Sequence, residues 1–486
     1  MSVPSVVGLP SEMKLGEVDF SLPPAATSYS IKVQPSNITS VVSPTYTATA
    51  SQSPLTGLTF PSQTLFFDIP AGASPSVFID TRFSTLSFRA TYSVVSAGTA
   101  SVLTTGYQRS GGYSYFDRTY VTAQNGNIVE DINEFGLVND LLTSLQLNPA
   151  TRDSLSLQYG FLTDAAALQS QGHSWAAMAT TMAASQIESH SYSMPLISSL
   201  IGVTADKFLN IGRTSKLQFA LQTATELPIT LTTGTATSAG TFNITLSDFA
   251  LNLEYIDIGA AALAMLDSTL VDRKAYIKGV TYKTSSVSMA ATSGTQSLLA
   301  GIRGSSVKSL FTRFYDQGTN NATNSYNGKY DSKSPSINNI NYNIGGLRFP
   351  NNPVNPLLNP AQAFRNLQMA IGAFNNSQFQ SCIIPSAYCK LSAGGTAQAL
   401  TVGATQDYYW NLGTAAASLA QFIYGENLEI CARRGLMSGL NCQSAPVFVE
   451  LNTSAAPTNS QQVYVIAMLD CVYIHDVANG DIQVRI

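Results

Sequence analysis

The fold is decided by the stretch Leu86-Ser-Phe-Arg-Ala-Thr-Tyr-Ser-Val94, in which apolar and polar side chains alternate without a break. Because successive side chains of a β-strand point to opposite faces of the sheet, this alternation predicts a strand that is buried on one face. The same pattern recurs at Leu217–Leu221 and at Phe249–Tyr255. Strands with one buried face are typical of antiparallel sheets, so the sequence predicts an all-β protein.

A β-hairpin is predicted at the C-terminal end of the chain. An apolar-rich stretch covers Val463–Val477, Asn479 and Gly480 follow, and Asp481–Ile486 alternates between polar and apolar residues. Asn-Gly is the favoured two-residue hairpin turn because both positions tolerate positive φ. We therefore expect two antiparallel strands joined by a two-residue turn.

The first predicted helix lies in the N-terminal half of the chain. Asn127 and Glu130 have the Asn-x-x-Glu spacing of a capping box, and apolar residues between Ile128 and Leu145 recur at helical spacing. This pattern predicts that Glu130 caps the helix and that Asp131 lies on its solvated face.

A second helix is predicted in the other half. Asn359 is expected to cap it and Pro360 to occupy its first position, where the missing N–H has no partner to lose. The apolar stripe of this helix consists of Phe364, Leu367, Ile371 and Phe374. A third helix is predicted over Ala415–Cys431. Since the first two helices begin roughly 230 residues apart in strand-rich surroundings, we interpret the chain as a duplicated architecture.

The length of 486 residues suits two domains of roughly 200–250 residues. Residues 1–27 contain four prolines and are predicted to be an extended N-terminal arm. The strand pattern stops and restarts near Met265–Lys274, which predicts a first domain at 28–265 and a second at 266–486. The Asn-rich stretch Gln317–Asn343 is predicted to be a long exposed loop. The expected fold is two consecutive eight-stranded jelly-roll β-sandwiches with a few inserted helices.

Charge is scarce on this chain. Its 25 Lys+Arg and 29 Asp+Glu make up 11% of the residues, against about 25% in an ordinary soluble protein. Neutral polar residues or contacts with other subunits must therefore cover most of the surface. The net charge of −4 argues against a dedicated nucleic-acid binder, whose affinity rests on clustered Lys and Arg. The hydrophobic share of 44% excludes wholesale disorder.

No segment of the sequence predicts export or membrane insertion. The N-terminal residues have neither the basic region nor the apolar run of a signal peptide. The longest apolar run, Ile258–Leu266, has nine residues, whereas a membrane-spanning helix needs about 20. We expect a soluble protein that is made inside a cell.

The five cysteines are predicted to be mostly buried, reduced thiols. All lie in the last quarter of the chain, and an odd number gives no closed disulfide framework, although one bridge among them is left open. No C-x-x-C pair occurs, so a zinc site is not expected. The cysteines are Cys382, Cys389, Cys431, Cys442 and Cys471.

The side chains that catalysis needs are few and scattered. The histidines are His173, His190 and His475, and each is predicted to be structural or exposed. The sequence motifs of zinc proteases, nucleophile-elbow hydrolases, P-loop proteins and dinucleotide-binding domains do not occur. We therefore predict no catalytic residue, no cofactor-binding residue, no metal ligand and no cofactor, and we predict that the protein is not an enzyme.

Adjacent charges have simple structural interpretations. The carboxylate pairs Glu130/Asp131 and Asp267/Asp272 are neighbours in sequence, not the facing acids that glycoside hydrolysis requires. The Arg433–Arg434 pair follows the predicted third helix, where positive charge complements a helix C-terminus.

A series of short segments carries a family resemblance. In chain order these segments are Asn125–Gly136, Met194–Gly202, Lys216–Leu221, Phe249–Ile258, Ser309–Phe314, Tyr342–Pro350 with Asn355-Pro356, Glu426–Glu429, Ser438–Asn441 and Gly480–Val484. Their order and spacing resemble the double jelly-roll major capsid proteins, especially those of Polinton-like viruses and virophages. The resemblance covers roughly residues 77–486 and leaves out the N-terminal arm.

The resemblance implies a structural, non-enzymatic protein located in the virion. Proteins of this family form homotrimers whose six jelly rolls approximate a hexagon, and these capsomers tile an icosahedral shell around a double-stranded DNA genome. The expected partners are two further copies in the trimer, neighbouring capsomers, and penton and minor capsid proteins. Synthesis inside the host cell is implied, whereas a specific nucleic-acid site and membrane insertion are not expected.

Two other classes stay open on the sequence alone. A carbohydrate-binding or adhesin-like β-sandwich protein would need a concave aromatic or carboxylate-lined site and, usually, export. An enzyme on a β-sandwich scaffold is also conceivable, because a fold by itself does not specify chemistry.

Overall fold

A computed structural model shows two β-sandwiches joined by a helix. The residues that the structure describes are 26–48, 59–96, 103–106, 111–123, 126–160, 187–225, 230–233, 240–316, 330, 332–372, 381–383, 388–389, 400–402, 405–407, 421–429, 437–457 and 459–486.

The first sandwich consists of two antiparallel sheets. Its described strands are β1 (Thr27–Val33), β2 (Ser40–Val42), β3 (Tyr46–Ala48), β4 (Thr64–Ile69), β5 (Val77–Ser96), β6 (Leu103–Gly106), β7 (Phe116–Thr122), β8 (Ile128–Asn133), β9 (Ile187–Pro195), β10 (Leu217–Thr223), β11 (Thr230–Thr233) and β12 (Gly240–Asp257). One sheet has the order β1-β12-β5-β9, with β2 and β3 also paired to β12, and the other has the order β4-β10-β7-β8. Strands β6 and β11 pair with each other.

The second sandwich is built in the same way. Its described strands are β13 (Lys274–Met289), β14 (Gly294–Ala300), β15 (Val307–Asp316), β16 (Ile337–Ile344), β17 (Leu347–Val354), β18 (Leu400–Val402), β19 (Thr405–Asp407), β20 (Ile423–Asn427), β21 (Val447–Thr453), β22 (Gln461–Asp476) and β23 (Asp481–Arg485). The sheets have the orders β13-β22-β15-β20 and β14-β21-β16-β17. Strand β23 pairs with β22, and β18 with β19.

The two sandwiches have identical topology. When the eight main strands of each are numbered in chain order, one sheet has the order 1-8-3-6 and the other the order 2-7-4-5, in both halves of the chain. Two such four-stranded sheets packed face to face form a jelly roll. The predicted fold class, two consecutive eight-stranded jelly rolls, is confirmed.

The alternating stretches of the sequence are strands with the predicted buried face. They lie in β5, β10 and β12, which are inner strands of their sheets. The buried side chains of these stretches are Leu86, Phe88, Ala90, Tyr92, Leu217, Phe219, Leu221, Phe249, Leu251, Leu253 and Tyr255.

The helices lie in the connections between strands. Within the described residues they are α1 (Phe135–Gln146), α2 (Pro149–Tyr159), α3 (Gly259–Thr269), α4 (Pro360–Ala370) and a short 3₁₀-helix at Gly111–Tyr115. Helices α1 and α2 connect the fifth main strand of the first jelly roll to the sixth, and α4 lies in the same connection of the second. This equivalence supports the interpretation of the chain as a duplicated architecture.

The first predicted helix begins later than expected. Residues Ile128–Asn133, which the sequence predicts to begin the helix, form the strand β8 instead. Helix α1 starts only at Phe135. Glu134, the residue before α1, has a positive φ of 54° and makes no capping hydrogen bond through its side chain. The prediction of a capping box at Asn127 and Glu130 is therefore wrong, because both residues precede the helix.

A tight turn before β8 explains this difference. Gly126, at a φ of 74°, donates its N–H to Ala123 O at 2.9 Å, and Ala123 N donates to Asn127 O at 2.9 Å. These bonds turn the chain back so that β8 pairs with β7. The hydrogen bonds of the sheet outweigh the helical spacing of the apolar residues, since local propensity is a weak constraint on an element with tertiary partners.

Helix α4 begins where the sequence predicts it. Asn359 Oδ1 accepts a hydrogen bond from Gln362 N at 3.1 Å, and Pro360 is the first helical residue. Leu367 is completely buried and Ile371 nearly so, as expected for the apolar stripe. Phe374 lies outside the described residues.

Two other predicted elements are wrong in part. In the predicted helix Ala415–Cys431, residues Ile423–Asn427 form β20, which pairs with β15; residues 415–420 and 430–431 lie outside the described residues, as do Arg433–Arg434. In the predicted loop Gln317–Asn343, residues 337–343 belong to β16, because buried Ile337, Ile340 and Tyr342 give that strand a core face despite its asparagines. Residues 317–329 of that loop are not described.

The C-terminal hairpin is present, but its turn is longer than predicted. Asp476 of β22 pairs with Asp481 of β23, which leaves four residues in the turn. Gly480 has a positive φ of 70°, whereas Asn479 does not. The Asp476 carboxylate accepts hydrogen bonds from Ala478 N at 3.0 Å and from the Asn479 side chain at 2.8 Å. These bonds stabilise the wider turn over the two-residue turn.

The connection between the jelly rolls contains α3. The predicted boundary between residues 265 and 266 falls inside this helix, and the division into domains 28–265 and 266–486 stays a prediction. Most of the predicted N-terminal arm, residues 1–25, lies outside the described residues.

Candidate functional site at the contact between the two jelly rolls

The two jelly rolls contact each other through the segment between β9 and β10. In this segment Ala205 forms an antiparallel bridge with Gly279 of β13, and Asp206 N donates a hydrogen bond to Lys278 O at 3.0 Å. Strand β8 also packs against β13 and β23. Main-chain hydrogen bonds therefore connect the two jelly rolls directly.

Gly279 allows this close approach. A Cβ atom at this position would lie 2.7 Å from both the Cβ and the carbonyl oxygen of Ser199. Such distances are shorter than real Cβ atoms show, so a larger residue would force β13 away from the first jelly roll.

A buried carboxylate group lies at the same contact. Glu130 of β8 accepts hydrogen bonds from the hydroxyl groups of Ser198 and Ser199 and from Ser199 N, the last at 2.7 Å. Ser199 Oγ is 2.5 Å from the hydroxyl group of Tyr473 in β22. Burial raises the pKa of Glu130 more than these hydrogen bonds lower it. Both jelly rolls thus contribute to one polar cluster, and the prediction that Glu130 caps a helix is wrong.

Two of the other acidic residues singled out in the sequence, Asp131 and Asp267, form ion pairs. Asp131 accepts two hydrogen bonds from Arg118, both at 2.8 Å, so the prediction that Asp131 lies on a solvated helix face is wrong. Asp267 accepts two from Arg213, at 2.6 and 2.7 Å. Asp272 is exposed.

A buried ion pair connects the jelly rolls at a second place. Arg313 Nη1 of β15 donates to Asp140 Oδ2 of α1 at 2.7 Å, and Arg313 Nη2 donates to Tyr330 O at 3.0 Å. Close by, Cys382 N donates to Ser144 O, one turn further along α1, at 3.0 Å. Helix α1 belongs to the first jelly roll by sequence but packs against residues of the second.

The two described histidines lie on strands of different jelly rolls. His475 of β22 is buried, with Nε2 3.4 Å from the Thr214 hydroxyl of the first jelly roll, and burial lowers its pKa. His190 lies in β9 and is partly buried. His173 lies outside the described residues. His475 therefore belongs to the contact between the jelly rolls.

The four described cysteines, Cys382, Cys389, Cys442 and Cys471, are free thiols. Burial raises the pKa of Cys389, Cys442 and Cys471 to about 11, which keeps them protonated near neutral pH. Cys382 Sγ accepts a hydrogen bond from Arg152 Nη1 at 3.0 Å. Cys431 lies outside the described residues.

A metal site needs grouped ligand side chains, and a membrane-spanning helix needs about 20 apolar residues. In the part of the chain that the structure describes, no three His, Cys, Asp or Glu side chains are grouped so that they could hold a metal ion. None of the described helices is long and apolar enough to cross a bilayer. The contact between the jelly rolls contains main-chain hydrogen bonds, the Glu130 cluster and the Arg313–Asp140 ion pair.

The sequence alone did not identify the residues of this contact. Gly279 lies in an ordinary strand pattern, and Ser198 and Ser199 lie in a segment without periodicity. One signal was present: Asp140 interrupts the apolar run of α1, and a charged residue on a buried helix face requires a partner of opposite charge. The identity of that partner depends on the tertiary fold.

Solved structures of viral origin resemble the chain over 94–100% of its length. A structure of the Sputnik virophage is 11% identical, with 100% of this chain and 93% of that chain covered and a TM-score of 0.54. The Faustovirus major capsid protein is 8% identical, with coverages of 94% and 92% and a TM-score of 0.53. PBCV-1 VP54, fitted into a reconstruction of Sputnik, is 8% identical, with coverages of 96% and 98% and a TM-score of 0.51. At such low identity these matches establish a shared fold.

Sequence comparisons give no further assignment. No protein-family model matches the chain, and no curated protein sequence matches it.

Proposed function

We propose that this chain is a major capsid protein: it acts by shape and self-association, resides in the capsid shell of a virion, and catalyses no reaction. The observation that carries the proposal is the repeated strand order 1-8-3-6 and 2-7-4-5, together with the likeness of nearly the whole chain to the Faustovirus major capsid protein. Fold likeness alone does not specify function. Three further features of the chain suit a capsid protein: its duplicated architecture, its buried contact between the modules and its low charge content.

The duplicated architecture fits a trimer that imitates a hexagon. Three copies with two equivalent modules each supply six similar units around a threefold axis. The interface between copies would be heterologous and would close by rotation, which gives a finite ring. We propose homotrimers of this kind, with the modules at 28–265 and 266–486.

The contact within each chain favours a fixed angle between the modules. The Arg313–Asp140 ion pair, the Glu130 cluster and the Gly279 contact all connect the two jelly rolls through buried groups. A flexible joint would let the six units deviate from hexagonal positions. A shell made of many copies requires units of constant shape.

The low charge content fits extensive contact between copies. Burial of charged groups costs free energy that must be recovered by pairing, and the cores of protein interfaces are depleted in charged residues. A chain with 11% charged residues therefore has large areas that another copy can cover at low cost.

The further assignments follow from the same proposal. The trimers would tile an icosahedral shell around a double-stranded DNA genome, in contact with neighbouring capsomers and with penton and minor capsid proteins. The chain would be made inside the host cell, would insert into no membrane and would have no sequence-specific nucleic-acid site.

Light scattering and negative-stain microscopy of the purified full-length protein test the proposal. We expect a particle of three times the 51.7 kDa chain mass and pseudo-hexagonal plates in the images. A stable monomer at micromolar concentration would contradict it, and selective binding of that monomer to glycans would favour a carbohydrate-binding protein instead.

A further inference from the structure

Helix α3 is an apolar helix on the protein surface. Its sequence, Gly259-Ala-Ala-Ala-Leu-Ala-Met-Leu-Asp-Ser-Thr269, has no charged residue before Asp267. Leu263 is its buried residue, whereas Met265 is 70% exposed. A helix that faces water normally has polar residues on its outer side. The exposed apolar residues, hereafter the α3 surface, are Ala260, Ala261, Ala264, Met265, Leu266 and Val271.

The N-terminal segment of the chain joins the first jelly roll next to the start of α3. Thr27, the first residue of β1, pairs with Asp257 of β12, two residues before α3 begins. Residues 1–25 precede this point and lie outside the described residues. Fully extended, 25 residues span up to about 85 Å, whereas the 11 residues of α3 are only about 16 Å long.

The part of this segment nearest to β1 has a suitable sequence. Val18-Asp-Phe-Ser-Leu22 alternates between apolar and polar residues, and Pro23-Pro24 separates it from β1. In an extended chain this alternation puts the three apolar side chains on one side. Leu22 is five residues from Thr27, a reach of about 17 Å, which is close to the length of α3.

We propose that Val18–Leu22 packs on the α3 surface of its own chain, with Val18, Phe20 and Leu22 against Met265 and Leu266. Attachment at Thr27 gives the segment a high effective concentration at this surface, and that favours its own chain over a second copy. This inference does not depend on the proposed capsid role, and its failure would leave that role untouched.

Oxidation of methionine by hydrogen peroxide, read by mass spectrometry, tests whether the surface is covered. Met265 should oxidise more slowly than Met437, which is 42% exposed in the connection between β20 and β21. Deletion of residues 1–22 should raise the Met265 rate at least about tenfold, the effect of a contact worth about 1.4 kcal/mol. The Met437 rate should not change.

A point variant avoids any effect of the deletion on folding. Phe20→Asp in the full-length chain should raise the Met265 rate as the deletion does, whereas Phe20→Leu, the matched apolar control, should not. A Met265 rate that is equally fast in all variants would overturn the proposal. A Met265 rate that is slow in all of them would show another occupant and overturn it as well.

Disulfide cross-linking identifies which chain supplies the segment. The double variant Phe20→Cys/Met265→Cys should form a bond within one chain, seen by mass spectrometry of linked peptides at monomer mass on a denaturing gel. The control Phe20→Cys/Leu299→Cys, with the second position exposed on β14, should not. Bonds between two chains would overturn the assignment to the same chain.

Discussion

Arg313 of the second jelly roll and Asp140 of the first form an ion pair across the contact between them, with Nη1 2.7 Å from Oδ2 and both side chains 1% exposed. Removing two charges from water is costly, so a buried pair of this kind contributes little net stability compared with apolar residues of the same size. The ion pair instead favours one arrangement of the two jelly rolls over others. Only the arrangement of the jelly rolls that brings these two groups together avoids an isolated buried charge.

Removal of one charged residue of this ion pair should therefore lower the free energy of unfolding. In the Asp140→Ala variant the Arg313 guanidinium remains buried without its carboxylate, and we expect the free energy of unfolding to fall by about 3–5 kcal/mol. Equilibrium unfolding in urea, followed by circular dichroism, measures this loss.

Two further variants distinguish the ion pair from general damage. Arg348→Met removes an exposed arginine that pairs with Glu450 at 3.3 Å, and should cost less than about 1 kcal/mol. The double variant Asp140→Leu/Arg313→Met should recover most of the stability that Asp140→Ala loses. Equal losses for Asp140→Ala and Arg348→Met would show that the buried pair has no special role.

Glu426 should make stability depend on pH. It lies in β20 beneath α4, where Asn366 Nδ2 donates to Oε2 at 3.0 Å and the Tyr424 hydroxyl donates at 3.3 Å. Burial raises the pKa of Glu426 from 4.5 to about 7. Below pH 4.5 the Glu426 carboxyl group is protonated in both the folded and the unfolded chain, so it does not lower the free energy of unfolding. Between pH 4.5 and 7 the unfolded chain loses its proton first, so the folded state loses stability, by about 3 kcal/mol in total.

The Glu426→Gln variant tests this sign. Glutamine keeps an acceptor for Asn366 but cannot ionise, so the variant should be more stable than the wild type at pH 8 and no more stable at pH 4. Urea unfolding between pH 4 and 8 provides the measurement, and a wild-type profile for Glu426→Gln would refute the assignment.

The strands of this fold could be predicted because their pattern is local. A stretch such as Leu86–Val94 records in its own alternation which face is buried. The duplication could also be inferred, since α1 and α4 mark the same connection in both jelly rolls. The start of α1 differs from the prediction because apolar residues 128–132 satisfy a helical spacing, whereas their strand conformation depends on pairing with β7. The hydrogen bonds of a sheet join residues that are distant in sequence.

The residues that form the contact between the jelly rolls could not be predicted from the sequence, for the same reason. Glu130 lies next to Asp131 in the chain, but Ser198 and Ser199 come almost 70 residues later. Arg313 is 173 residues from Asp140. A sequence shows that Asp140 needs a partner, and it does not show which of 25 basic residues meets it.

Gly279→Ala should weaken the contact between the jelly rolls. The added methyl group would lie 2.7 Å from the carbonyl oxygen of Ser199, which is main chain and cannot rotate away. Relief of this overlap requires a backbone shift, with a loss of about 1–3 kcal/mol of unfolding free energy. Gly301→Ala is the matched control, because its nearest atom would be Ser285 Oγ at 3.5 Å, an ordinary contact. Urea unfolding of both variants should separate them, and similar stability would contradict this role of Gly279.

Three of the buried thiols should react only when the chain unfolds. Burial raises the pKa of Cys389, Cys442 and Cys471 to about 11, so about 0.1% of each is thiolate at pH 8, against roughly a quarter of an unfolded cysteine with a pKa near 8.5. Ionisation alone should thus slow alkylation by iodoacetamide more than a hundredfold, and burial should slow it further.

Peptide mass spectrometry after timed labelling, in buffer and in 6 M guanidinium chloride, gives the rate for each cysteine. Cys382, which is less buried, should be labelled before the other three in buffer. Cys471 pairs with Gly279 at the contact between the jelly rolls. Labelling of Cys471 in the folded protein at the unfolded rate would mean that this contact opens readily.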